Sequence, residues 1–239
     1  MPSLRTAWTW RHGPSAEQSH ELLVRLCVVR AKVGRQARWS RLVRVSQQWL
    51  ARRELQDLND ALSATPLAGR YWICGGLLLG WAREGRVLSH DAWDFDFYLR
   101  AEDAHLLAAA TGALRRAGFK RLYRFRNATG LVTEYAFVRH GARFEFFLLF
   151  ETARSGTRTY FLIEGGEEIE NEIADQPLEE FDFLGRKWLK PRFHEQHLAE
   201  TYGEWQVPDK GWSARRAPCV VAIRPCPSRS IAWISDDAR

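Results

Sequence analysis

Trp72-Ile-Cys-Gly-Gly-Leu-Leu-Leu-Gly-Trp-Ala-Arg-Glu-Gly85, followed by His90-Asp-Ala-Trp-Asp-Phe-Asp-Phe-Tyr-Leu99, is the stretch that decides how this chain folds. It reads as a short apolar strand, a glycine turn feeding a helix, and a second strand that carries carboxylates. Side chains alternate along a strand, so Asp94 and Asp96 point one way while Phe95 and Phe97 point into a core. Two carboxylates held side by side repel unless a cation lies between them. Mg²⁺, or Mn²⁺ in its place, is the expected cofactor, because such ions take hard oxygen ligands and share them with substrate phosphates. Gly75 and Gly76 stand where a backbone turns sharply and can approach a donor phosphate.

Further along, Glu145 interrupts the apolar run Phe144-Glu-Phe-Phe-Leu-Leu-Phe150. A carboxylate there is either exposed on an edge or held at a site, since an unpaired buried charge is very costly. Asp94, Asp96 and Glu145 are therefore the candidate catalytic and metal-binding residues. The candidate substrate contacts are Gly75, Gly76, Arg83, His90, Asp91, Lys187 and Lys190. Arg83, about two turns into the helix after the glycines, is expected to reach a phosphate. His90 and Asp91 precede the strand and are expected to orient an acceptor. Lys187 and Lys190 flank Trp188 and are candidates for a donor or polyanionic contact.

At 239 residues and 46% hydrophobic content, the chain has ample material for a core. No apolar run approaches the roughly 20 residues that cross a bilayer, so a cytoplasmic location is expected. Cys27, Cys74, Cys219 and Cys226 lack metal-ligand spacing, which implies neither a zinc site nor a disulfide framework. The net charge is +6, and its distribution is uneven: from Met1 to Arg53 the only acids are Glu17 and Glu21, among many arginines. Such a segment suits an anionic partner. With Trp39 and Trp49 interleaved, peripheral contact with an anionic membrane surface is the expectation, and nucleic acid is not.

Three segments follow: a basic helical extension over 1–51, a catalytic domain over 52–218 and a tail over 219–239. Leu22, Leu26, Val29 and Val33 recur at helix spacing, and a second helix is predicted over 40–63. After the carboxylate strand, residues 102–117 read as a helix that ends at Gly118. Leu131–Arg139 and Arg143–Phe150 read as an antiparallel hairpin about His140-Gly141, and Thr159–Ile163 as a further strand. The acidic stretch Glu164–Glu180 is expected to be a solvated loop or helix face. A second hairpin turns at Gly185, after which Pro191 opens a helix running to Tyr202.

Gly76-Leu-Leu-Leu-Gly80, Arg83, Gly85 and Asp94-Phe-Asp96, with Tyr202-Gly-Glu-Trp205 and Pro208 downstream, resemble the LicD and fukutin-related phosphotransferases of the nucleotidyltransferase superfamily. The resemblance spans about residues 70 to 212. Leu77 stands where that family often has threonine, and the interval from Gly85 to the Asp-x-Asp is one residue longer. It implies an α/β (α+β) fold, a nucleotidyltransferase-like mixed sheet flanked by helices. It further implies metal-dependent transfer of a phospho-alcohol group, of phosphocholine or alditol phosphate type, from a CDP-activated donor to a glycan or sugar hydroxyl. The residues alone support metal-assisted phosphoryl or nucleotidyl transfer. Two alternatives stay open: a nucleotidyltransferase that uses a nucleoside triphosphate, and an inactive relative that binds anionic surfaces.

Overall fold

The computed structural model describes residues 41–127, 129–164, 166–226 and 231–233. The first expected helix, over residues 22–33, and most of the basic segment lie outside these. Within them the chain forms helix α1 (Arg41–Ser63), strand β1 (Tyr71–Ile73), α2 (Gly75–Glu84), β2 (Asp94–Arg100) and α3 (Ala104–Arg116). Then come β3 (Lys120–Arg126), β4 (Val132–Arg139), β5 (Ala142–Glu151), β6 (Thr157–Glu164) and β7 (Glu167–Ala174). The hairpin β8 (Leu178–Phe183) and β9 (Arg186–Pro191), helix α4 (His194–Tyr202), β10 (Val220–Pro225) and β11 (Ile231–Trp233) complete it.

Nine strands join in one mixed sheet, with β8 and β9 forming a separate pair. β5 is its spine. It pairs in parallel with β2 and antiparallel with β4, and its last residues, Phe150 and Glu151, pair with β6. The fold is thus mixed α/β, as the resemblance implied. Among the described residues no helix is long and apolar enough to cross a membrane.

The odd-numbered residues of β2 and even-numbered residues of β5 fill the main core. Phe95, Phe97, Phe144 and Phe146 are fully buried there, under Leu55, Leu58 and Leu62 of α1 and Leu107 and Leu114 of α3. Phe97 stacks on Phe146 at 5.1 Å and on Trp188 of β9 at 6.0 Å. Each such ring contributes about 1.5–3 kcal/mol by leaving water. The opposite face carries a smaller cluster of Trp72, Tyr98, Leu149, Tyr160 and Ile173. That face also carries the acids.

Two expectations are corrected. The acidic stretch Glu164–Glu180 is not a solvated loop or helix face but β7 and the start of β8. Ile169, Asn171 and Ile173 alternate inward, while Glu170 pairs with Arg224 of β10 and Glu172 with Arg154. The glutamates hid a period of two. Pro191 ends β9 instead of opening a helix, which begins at His194. The tail beyond residue 218 adds β10 to β7 and β11 to β3. The boundary expected at 51/52 falls inside α1, where Gln48 donates to Val87 O at 2.7 Å and Gln56 to Leu184 O at 2.6 Å.

Candidate active site

The parallel register of β2 and β5 sets Asp94 beside Arg143 and Asp96 beside Glu145. Because β5 is flanked on its other side by β4, Glu145 sits inside the sheet and is only 6% exposed. Ligand oxygens of Asp94, Asp96 and Glu145 all lie within 4.8 Å of one another. The sheet therefore gathers all three predicted acids on one face.

Helix α2 begins directly against them. Cys74 N–H donates to Asp96 O at 3.1 Å, joining the strand to the turn. Gly75 takes a left-handed φ of +53°, and a Cβ there would overlap the Asp96 carboxylate, lying 2.9 Å from Asp96 Cβ. A Cβ on Gly76 would likewise overlap Asp91 Oδ2. The glycine pair thus admits two of the protein's own carboxylates to the helix N-terminus, where the peptide dipoles favour negative charge.

The charges leave their mark. Loss of solvent, reinforced by Asp94, Glu145 and Asp91, holds Asp96 well above the ordinary carboxylate range, and Arg143 only partly offsets this. Burial pushes Glu145 up to about 7 against the pull of Arg143. Asp91 rises to about 6, chiefly through burial, with the repulsion of Asp94 set against His90 and Arg83. Such a set lacks positive charge.

Arg143 is the cation that is present. Its Nε donates to Asp94 Oδ1 at 3.0 Å and its Nη2 to Oδ2 at 2.6 Å. The same Nη2 stands 3.3 Å from Glu145 Oε2. Tyr123 of β3 donates to Glu145 Oε1, and the charge of Glu145 acts on the buried Glu134 of β4. Burial, then the charge of Glu145, holds Glu134 well above the usual carboxylate range.

The other candidates divide. Asp91 lies beside the acids, with His90 Nε2 3.6 Å from its Oδ2 and the His90 ring largely exposed. Arg83 is mostly buried; its Nη1 donates to Trp205 O at 3.4 Å, and its charge acts on Asp91. Lys187 and Lys190 belong to the β8–β9 hairpin. Lys187 pairs with Asp182 at 2.9 Å on the surface. Lys190 is buried over the Trp81 ring at 5.0 Å, bonded to Glu179 and, at 3.1 Å, to His194 Nδ1. The partners of both lysines are hairpin acids, aromatic rings and His194, not the three acids.

Arg143, Tyr123 and Glu134 were not anticipated. Arg143 had a signal: it lies two residues before Glu145 in a strand and so shares its face. Tyr123 and Glu134 arrive through the registers of β3, β4 and β5, which no local pattern reveals. Tyr202, at the end of α4, packs on Trp212 at 4.8 Å. Burial, then the charges of Asp96 and Asp91, raises its phenol.

No curated protein matches the chain. The family described as LicD/FKTN/FKRP, nucleotidyltransferase domain, matches residues 69–192, just over half the chain. That match runs from before β1 to the end of β9, so it contains the glycine turn and all three acids. The chain therefore belongs to the LicD/FKTN/FKRP nucleotidyltransferase-domain family.

Proposed function

We propose that this chain is a divalent-metal-dependent transferase that moves a phospho-alcohol unit from a CDP-activated donor to a sugar hydroxyl. Family membership carries the coarser statement, a phosphotransferase-type activity. Metal dependence is carried by the set of three carboxylates within 4.8 Å, held against the start of α2, while the CDP-activated donor and the sugar acceptor come from the family resemblance. Hard oxygen donors, short of positive charge, fit Mg²⁺ or Mn²⁺. Asp94, Asp96 and Glu145 would hold the ion, which when bound would neutralise charge spreading over the donor's phosphate oxygens.

The chain's own groups supply the rest. Asp91, pushed up to about 6 and beside the acids, suits the general base that takes the acceptor hydroxyl's proton. His90, 3.6 Å away, steadies that carboxylate. The acceptor oxygen bonds to the phosphorus that bears the alcohol, the bond to the CMP phosphate breaks, and CMP leaves.

The test is thermal stabilisation by CDP-choline, CDP-ribitol and nucleoside triphosphates, each with and without Mg²⁺, in the wild type and in Asp96→Asn. Binding to the native state alone at a hundred times Kd adds about 2.7 kcal/mol, an easily read shift. The proposal expects a metal-dependent shift with the CDP compounds that Asp96→Asn abolishes. A shift with triphosphates alone, accompanied by pyrophosphate release on turnover, would replace it with nucleotidyl transfer.

A further inference from the structure

The Arg143 guanidinium does more than neighbour the acids. Both oxygens of Asp94 accept from it, at 3.0 and 2.6 Å, and Glu145 Oε2 lies 3.3 Å from the same Nη2. Asp94 and Glu145 are two of the three residues whose oxygens converge for a metal. The arrangement is built into the sheet, because the β2–β5 register sets Asp94 and Arg143 side by side. The fork of a guanidinium matches a carboxylate in two parallel bonds, and it matches a phosphate equally well. At 36% exposure for Arg143 and 42% for Asp94, the pair also opens to solvent.

We propose that Arg143 is the resident counter-cation of this site: it competes with the divalent ion for Asp94 and Glu145 and, once displaced, grips the donor's phosphates. This rests on the functional reading above. It follows from occupancy and charge. An ion that takes oxygens of Asp94 and Glu145 stands beside a like-charged guanidinium held by those same carboxylates, and a displaced guanidinium needs a new anion. The donor's diphosphate brings that anion into the same site. Metal and donor are then coupled: each makes room or charge for the other, and the affinity of one rises in the presence of the other.

The experiment is titration of Mn²⁺, followed calorimetrically, into the wild type, Arg143→Gln, Arg143→Lys and Asp96→Asn, and then of CDP into each Mn²⁺-loaded protein. Arg143→Gln removes the competitor, and loss of hydrogen bonds between charged groups corresponds to a tightening of Mn²⁺ of about tenfold or more. Arg143→Lys keeps the charge without the fork and is expected to fall between. CDP is expected to bind the loaded Gln variant about tenfold more weakly than the wild type. A merely structural arginine would give the reverse first result, a looser metal site in Arg143→Gln.

Mn²⁺ that binds the wild type, is lost in Asp96→Asn and is unchanged or weaker in Arg143→Gln overturns this inference and leaves the functional reading standing. Mn²⁺ that binds none of the proteins overturns both. Should circular dichroism show that Arg143→Gln is unfolded, Arg143→Lys decides: tighter Mn²⁺ than wild type supports the inference, equal or weaker Mn²⁺ overturns it.

Discussion

Two glycines carry positive φ for different reasons, and the difference can be measured. Gly69 turns the chain into β1 at φ +72°, with no atom within 4 Å of where a Cβ would stand. Gly75, at +53°, has the Asp96 carboxylate there. Gly69→Ala should therefore cost only the left-handed backbone, about 1–2 kcal/mol. Gly75→Ala should cost more than that by urea denaturation, and should also weaken Mn²⁺ binding, because Asp96 must move. Equal costs with unchanged metal affinity would show that the close approach is unimportant. At this scale much was legible. Alternation placed Asp94 and Asp96 on one face, and an acid inside an apolar run drew attention to Glu145. The glycine pair was noticed for the approach of a phosphate, whereas the structure fills that space with carboxylates. Glu134 and Tyr123 were invisible because they reach Glu145 only across strand registers.

Among the elements, β2 and β5 work as a unit: one face of the pair is aromatic and the other is acidic. The stack of Phe97 on Phe146 and Trp188 fixes the depth at which β2 lies, and so the height of Asp94 and Asp96 above the sheet. Phe97→Ala should lose about 3–5 kcal/mol in urea or thermal unfolding, with the cavity adding to the lost burial. Phe97→Leu, which keeps most of the volume, should cost well under half of that. A Phe97→Ala loss below about 1 kcal/mol would mean that the stack does not hold β2. Element types were readable wherever one periodicity dominated, as in α1, the β4–β5 hairpin and the β8–β9 hairpin. β7 was missed because Glu168, Glu170 and Glu172 fill its outward positions and Glu167 its first inward one. Glu168 shows the difficulty: it is buried, yet any local reading assigns it to solvent.

For the whole molecule, acid pulls in two directions. Glu145 and Asp91, raised to about 7 and about 6, bind protons more readily in the folded chain, so they favour folding as pH falls from neutrality. His197 of α4 does the opposite. Enclosed in the fold, with its ring edge-on to Tyr98 at 5.8 Å, it is pushed down to about 4 by burial. Between its unfolded value near 6.5 and about 4 the unfolded chain holds the extra proton, so its contribution to stability is complete above 6.5 and shrinks as pH falls. The slope of 1.36 kcal/mol per pH unit makes this a loss of about 2 kcal/mol between pH 7 and pH 5. His197→Gln cannot titrate and keeps the acid cluster intact. Urea unfolding free energies of wild type and variant, taken at pH 7 and pH 5, isolate the histidine because the carboxylate contributions cancel in the difference. The wild type should lose about 2 kcal/mol relative to the variant over that interval. Parallel pH profiles would mean that His197 takes up its proton inside the fold at no cost, and that the packing of α4 against Tyr98 admits water.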